Sequence, residues 1–350
     1  MHKGILYALL AAVTFGASTP FSKMLVGQVA PVTLAGLLYL GSGLGLLVWF
    51  VSRAISSRSG QDSSARLSAK DVPWLAGAIF FGGIVGPVML MIGLTLTPAS
   101  SASLLLNLEG VLTALLAWFV FRENFDRRIF LGMVLIVLGG VILAWEQRPA
   151  LGVPWGALAI VAACLCWAID NNLTRKVSAS DAVQIAGIKG LVAGVVNLSI
   201  ALTLGLPIPG IGTALAAGIV GFCGYGLSLV LFVLALRHLG SARTGAYFSV
   251  APFVGAVVSL LVLNETPSIG FWLAGALMGW GIWLHLTETH AHEHSHDAME
   301  HAHRHSHDAH HQHKHGFPWD GKEPHTHSHR HEPLSHVHPH FPDIHHRHKH

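Results

Sequence analysis

Apolar residues run along the chain in ten long blocks, and the breaks between them are short. The blocks span roughly 4–24, 31–51, 74–95, 100–121, 128–146, 154–174, 182–204, 211–236, 243–263 and 269–287. A helix needs about 20 mostly apolar residues to cross a bilayer. The pattern therefore predicts an all-α polytopic membrane protein with ten transmembrane helices. The breaks carry Pro, Gly, Ser or charge, as in GQVAP, TLTPAS, EQRPALGVP, LPIPG and NETPS, and 52–73 forms one longer polar link. The first block follows a short basic end without an Ala-x-Ala-like cleavage site, so it reads as a retained first helix.

The blocks also repeat. Residues 99–124 and 241–266 align at an offset of 142, where Ala114 meets Ala256 and Glu123 meets Glu265. Gly139 meets Gly281 at the same offset, and Gly83-Ile-Val-Gly86 recurs as Gly218-Ile-Val-Gly221 at an offset of 135. Phe15-Gly16 aligns with Trp167-Ala168, and Lys23 with Arg175. The shared order makes two five-helix repeats, 1–146 and 147–288. Five is odd, so the second half enters the bilayer upside down, a common transporter plan.

Charge sharpens the picture. Hydrophobic residues make up 52% and charged residues 11%, against about 25% charged in an ordinary soluble domain. This excludes a soluble globular enzyme, and the absence of a basic face excludes a nucleic-acid partner. Lys3, Arg53, Arg58, Arg66, Lys70, Arg122, Arg127, Arg128, Arg175, Lys176, Arg237 and Arg243 fall on one set of links, against Lys23 and Arg148 on the other. The positive-inside rule then puts both termini in the cytoplasm of an inner or plasma membrane protein. Cys164, Cys166 and Cys223 lie in apolar runs and are read as small buried residues rather than a disulfide framework.

Residues 289–350 are a different material. They hold 23 of the 26 histidines, mostly alternating with other residues. In an extended chain alternate side chains share a face. His292, His294 and His296 can thus converge on one ion, as can His301, His303, His305, His307, His325, His327, His329 and His331. Imidazole suits Zn, Ni, Co or Cu. Composition predicts a cytoplasmic tail that is disordered without metal. A tract with no selected ligand, or a polycation that charges near pH 6.5, stays open as a reading.

On these residues the body resembles the EamA branch of the drug/metabolite transporter superfamily. The ten helices in two halves carry the resemblance, with the helix-four motif SLLLNLEGVLTALLAWFVFREN and its helix-nine partner. Gly110 stands where family members usually have Pro after the helix-four Glu; helix nine keeps Pro252 but has Ala251 in place of an acid. The resemblance implies ten helices around a central cavity that move small metabolites by alternating access. It does not supply the substrate.

Polar groups inside lipid need a reason, since an ionised carboxylate at the bilayer centre costs roughly 3 kcal/mol on insertion scales. Glu109 on helix four is the first candidate for a proton- or cation-responsive group lining a path. Asp170, Asn171 and Asn172 are expected to interrupt helix six, and Ser18, Thr19 and Pro20 to interrupt helix one at the matching place. Lys189 on helix seven is free to pair with Asp170 or Glu109, or to snorkel to the cytoplasm. Asn107, Asn197, Tyr225 and Tyr247 lie at middling depths, and Pro252 marks a further break. Ala186, Gly190 and Gly194, with Gly41 and Gly45, read as close-packing stripes.

These features lead to a secondary transporter of a small metabolite, open to proton coupling, with a metal-binding regulatory tail and no enzyme activity. No cofactor is required, and no phosphate-binding GxxxxGK[ST] loop supports ATP-driven movement. Expected partners are the lipid bilayer, a small-molecule solute and divalent metal at the tail; a homodimer stays open. Two rivals stand beside it: a divalent transition-metal transporter fed or tuned by the tail, and a membrane metal sensor without transport.

Overall fold

In a computed structural model the chain is described over residues 3–56, 71–121, 127–146, 152–177, 182–239, 241–287, 290–296, 299–305, 325–331 and 334–340. It divides into a membrane unit, Met1–Glu288, and a tail unit, Thr289–His350.

The described part of the membrane unit is all-helical. α1 (Lys3–Val26), α2 (Pro31–Ser56), α5 (Arg127–Glu146), α6 (Trp155–Val177), α7 (Ala182–Thr203) and α10 (Ile269–Leu286) are single helices. α3 runs Val72–Ala78, then a π-helical stretch Ile79–Val85, then Gly86–Leu96. α8 repeats the device: Ile211–Gly221, π-helical Phe222–Leu227, then Ser228–Leu239. α4 is split into α4a (Ala99–Leu105) and α4b (Leu108–Phe121), and α9 into α9a (Ser241–Phe248) and α9b (Ala251–Leu263). Among the described residues, eight stretches are long and apolar enough to span a membrane, with Ala251–Leu263 and Ile269–His285 as shorter apolar helices. The outer surface bears large apolar side chains such as Phe130, Trp145, Leu261 and Trp272, as a bilayer solvent requires.

The halves interleave. α1 packs against α8 and α9b of the second half, while α6 packs in the same way against α3 and α4b of the first. α2 meets α7 and α5 meets α10, each helix facing its own counterpart. Small residues set these distances. A Cβ on Gly190 would strike the Gly43 backbone, and one on Gly41 would strike Gly218, which is the close approach expected of the stripes.

The interruptions differ from those expected. α1 passes unbroken through Ser18, Thr19 and Pro20, and α6 passes unbroken through Asp170, Asn171 and Asn172. The true breaks lie in α4, at 106–107, and in α9, at 249–250, where Pro252 opens α9b. Pro20 cannot donate to Gly16 O, and that carbonyl faces Gly255 of α9b. The π stretches begin 143 residues apart, at Ile79 and Phe222, so the 135-residue offset of the Gly-Ile-Val-Gly motifs is not the structural one.

The tail unit contains β1 (His290–His296), β2 (Met299–His305), β3 (His325–His331) and β4 (Leu334–His340). β1 pairs antiparallel with β4, and β2 with β3. Alternation of His with other residues fits the two-residue repeat of a strand. His307 lies outside the described residues.

Candidate functional site

The site grows from the π stretch of α3. A π turn replaces i→i+4 bonding with i→i+5 and leaves carbonyls free. Gly82 O accepts from Tyr39 Oη at 2.6 Å and from Trp167 Nε1 at 3.0 Å. Gly83 O accepts from Asn197 Nδ2 at 3.1 Å. Three helices, α2, α6 and α7, are thereby keyed to one widened turn.

Against that turn lies a buried ion pair. Lys189 Nζ of α7 donates to Asp170 Oδ2 of α6, and Thr174 Oγ1 donates to Asp170 Oδ1 at 2.9 Å. Lys189 thus points inward to Asp170 rather than snorkelling. Gly82 has no side chain because there is no room for one: a Cβ there would overlap the Asp170 carboxylate.

Glu109 stands in the first turn of α4b, just past the break in α4. That is the helix end that favours a negative charge. Asn171 Nδ2 donates to Glu109 Oε1 at 2.8 Å. Asn172 Nδ2 donates to Ala168 O at 2.8 Å, and more weakly to Thr113 O at 3.4 Å. Glu109 and Asn172 are half-buried, and Asn171 is exposed. The three consecutive polar residues of α6 therefore each find a partner without breaking their helix.

The second half repeats this geometry with different chemistry. Gly224, in the π stretch of α8, has no room for a Cβ because Ser18 of α1 occupies it. Ser18 precedes Asp170 by 152 residues and Gly82 precedes Gly224 by 142, the two offsets the sequence repeat uses. The rings of Phe15 and Trp167, also 152 apart, touch edge-on at 6.4 Å. The pseudo-twofold axis thus passes between them. Tyr225 joins this centre, 5.4 Å from Tyr39 and 6.0 Å from Phe15, and Phe248 lies 5.6 Å from Phe15.

The remaining candidates fall elsewhere. Asn107 Nδ2 donates to Leu104 O at 2.9 Å and reaches Met278 Sδ at 3.7 Å, so it caps the break in α4 from the side of α10. Tyr247 is half-buried on α9a. Tyr39, Trp167, Phe15, Thr113 and Gly82 were missed by sequence reasoning. Trp167 carried a usable signal: it lies mid-helix, where the interfacial anchoring role of tryptophan does not apply. Among the described residues, no three His, Cys, Asp or Glu side chains gather as a metal site.

Inverted five-helix halves meeting at a polar centre define a membrane transporter architecture. The profile of the EamA-like transporter family matches residues 2–145 and again 154–287. The chain belongs to that family. It is similar to an uncharacterized transporter of Methanothermobacter thermautotrophicus, at 30% identity over 80% of this chain and 85% of the relative. It is also similar to the uncharacterized transporter YyaM of Bacillus subtilis, at 24% identity over 79% and 91%. A solved crystal structure superposes with a TM-score of 0.60 at 17% identity, covering 82% of this chain and 98% of its own. At that identity the likeness speaks of the fold alone.

Proposed function

We propose that the chain is a secondary transporter that moves a small organic solute along the seam between its halves. The observation that carries this reading is the Asp170–Lys189 pair at the π stretch of α3, beside the aromatic centre of Phe15, Trp167, Tyr39 and Tyr225. Buried ions are costly unless paired, and in a membrane bundle they mark a pathway. Asp170 and Lys189 hold the solute's polar end by exchanging partners with it. Glu109, with Asn171, is the group that takes and releases a proton. Positive charge on alternate links supports a cytoplasmic location for both termini.

The tail is proposed to collect Zn, Ni, Co or Cu and to tune the body. Its support is the strand register, which pairs His292 with His338, His294 with His336, His301 with His329 and His303 with His327 along the backbone. A metal as cargo is disfavoured, because the centre offers oxygen and ammonium groups and soft ions prefer imidazole or thiolate.

The test compares cells expressing the intact chain, a truncation after Glu288, and Asp170→Asn. Small-solute and metal contents are read together by mass spectrometry. The reading expects an organic solute to change, the change to vanish with Asp170→Asn, and the truncation to alter only its extent. A metal level that moves beyond stoichiometric tail binding and depends on Asp170 would overturn the choice of cargo.

A further inference from the structure

Away from the polar centre, the face where α1, α3 and α9 end is tied shut by main-chain hydrogen bonds. α9b stops at Asn264, which takes the left-handed conformation at φ 50° that asparagine tolerates at a helix end. The turn delivers Glu265 to the start of α4a. Its carboxylate accepts from Ala99 N at 2.7 Å and from Ser100 N at 2.9 Å, two donors that a helix start leaves without intrahelical partners. Lys23, from the last turn of α1, donates to Leu94 O and, at 2.9 Å, to Thr97 O. The second half thus holds the α3–α4 link through Glu265, and α1 holds it through Lys23.

The pseudo-twofold shows that this closure is one-sided. All seven residues of α4a are buried, and Ser103 packs against Gly255 of α9b. The counterpart of Ser103, 142 residues on, is Gly245 of α9a. Gly245 is exposed, and among the described residues a Cβ there would meet nothing within 4 Å. Tyr247 and Phe248 beside it are half-buried, whereas Leu105 and Leu106 at the matching places are buried. Two segments that the repeat makes equivalent therefore sit in different environments, one packed and one open.

We propose that Glu265 and Lys23 form a latch that holds the transporter closed on the face of the Thr97–Ser100 link and open on the opposite face. Passage to the other state releases α4a from α9b and packs α9a in exchange. The inference rests on the transporter reading above, but it concerns the balance between two conformations and needs no solute to be measured.

The test uses the full-length chain in membrane vesicles of both orientations, with Cys164, Cys166 and Cys223 replaced by alanine. Ser103→Cys or Gly245→Cys is introduced singly and labelled with a membrane-impermeant maleimide. With the latch intact, Gly245→Cys labels and Ser103→Cys does not. Glu265→Gln, and independently Lys23→Met, is expected to speed labelling at Ser103→Cys about tenfold, the shift that losing about 1.4 kcal/mol of closure produces. The same variants slow labelling at Gly245→Cys. No change at either cysteine overturns the latch. A rise at both also overturns it, since that reports loosening of the bundle rather than exchange between states. Labelling that behaves as expected while Asp170→Asn leaves solute levels unaffected would retain the latch and remove the proposed site.

Discussion

Asp170 rests on the bare Cα of Gly82, and the ion pair with Lys189 exists only because position 82 carries no side chain. Gly82→Ala is therefore expected to push the carboxylate away from the ammonium while leaving both charges in place. Overpacking of this kind costs about 1–3 kcal/mol. The measurement is thermal unfolding in detergent beside solute movement in cells: a modest loss of stability with loss of movement comparable to Asp170→Asn. Gly110→Ala serves as the control, because a Cβ there would meet nothing within 4 Å. Full movement in Gly82→Ala would mean that the pair's geometry does not matter.

Lys189 and Asp170 are both buried, so neither is left alone without cost. Removing one partner of a buried pair costs about 3–5 kcal/mol, while replacing both by apolar or neutral groups is often neutral. Asp170→Asn and Lys189→Met are each expected to lower the unfolding temperature clearly. The double variant is expected to recover most of that loss and still to move no solute. Recovery of movement in the double variant would reduce the pair to a structural bolt.

The fold was legible because lipid demands long apolar helices, and ten such blocks stand out in any reading of the chain. The repeat was legible for a related reason: helices that face their own counterparts, as α2 faces α7, reuse small residues at fixed offsets. The breaks were not. Asp170-Asn171-Asn172 looked like a helix breaker, since adjacent polar side chains compete with backbone bonding. The competition is lost because Lys189 and Glu109 offer Asp170 and Asn171 partners on other helices, while Asn172 bonds Ala168 O one turn back without breaking the helix. The breaks in α4 and α9 sit in unremarkable sequence, Leu106-Asn107 and Ser249-Val250, and Pro252 alone signalled one of them. Gly82 was invisible among 38 glycines, because its importance lies in what presses on it from another helix.

Glu109 accepts from Asn171 Nδ2, and a glutamine in its place still offers a carbonyl to that donor. Glu109→Gln is therefore expected to change stability by less than about 1 kcal/mol, the scale of one retained hydrogen bond. Its effect should fall on coupling. In proteoliposomes bearing an imposed pH gradient, the intact protein should accumulate solute and the variant should only equilibrate it. Retained pH-driven accumulation in Glu109→Gln would remove Glu109 as the proton carrier.

In the tail, each ladder sets histidines directly opposite one another on alternate rungs: 292 with 338 and 294 with 336 in one, 301 with 329 and 303 with 327 in the other. Opposite positions on an antiparallel pair lie about 5 Å apart at Cβ, and next-but-one positions share a face. Under the proposed metal-collecting role of the tail, two neighbouring rungs would together supply the four ligands a tetrahedral Zn site takes. A single strand would offer its histidines without help from the other. The two arrangements differ in how losses combine. On the full-length chain, with Zn as the titrant, His292→Ala/His294→Ala and His336→Ala/His338→Ala should each remove the same tight binding class, and the quadruple variant should do little more. Losses that simply add would show strands binding separately. Zn binding unchanged in all three variants would leave the first ladder with no part in metal capture.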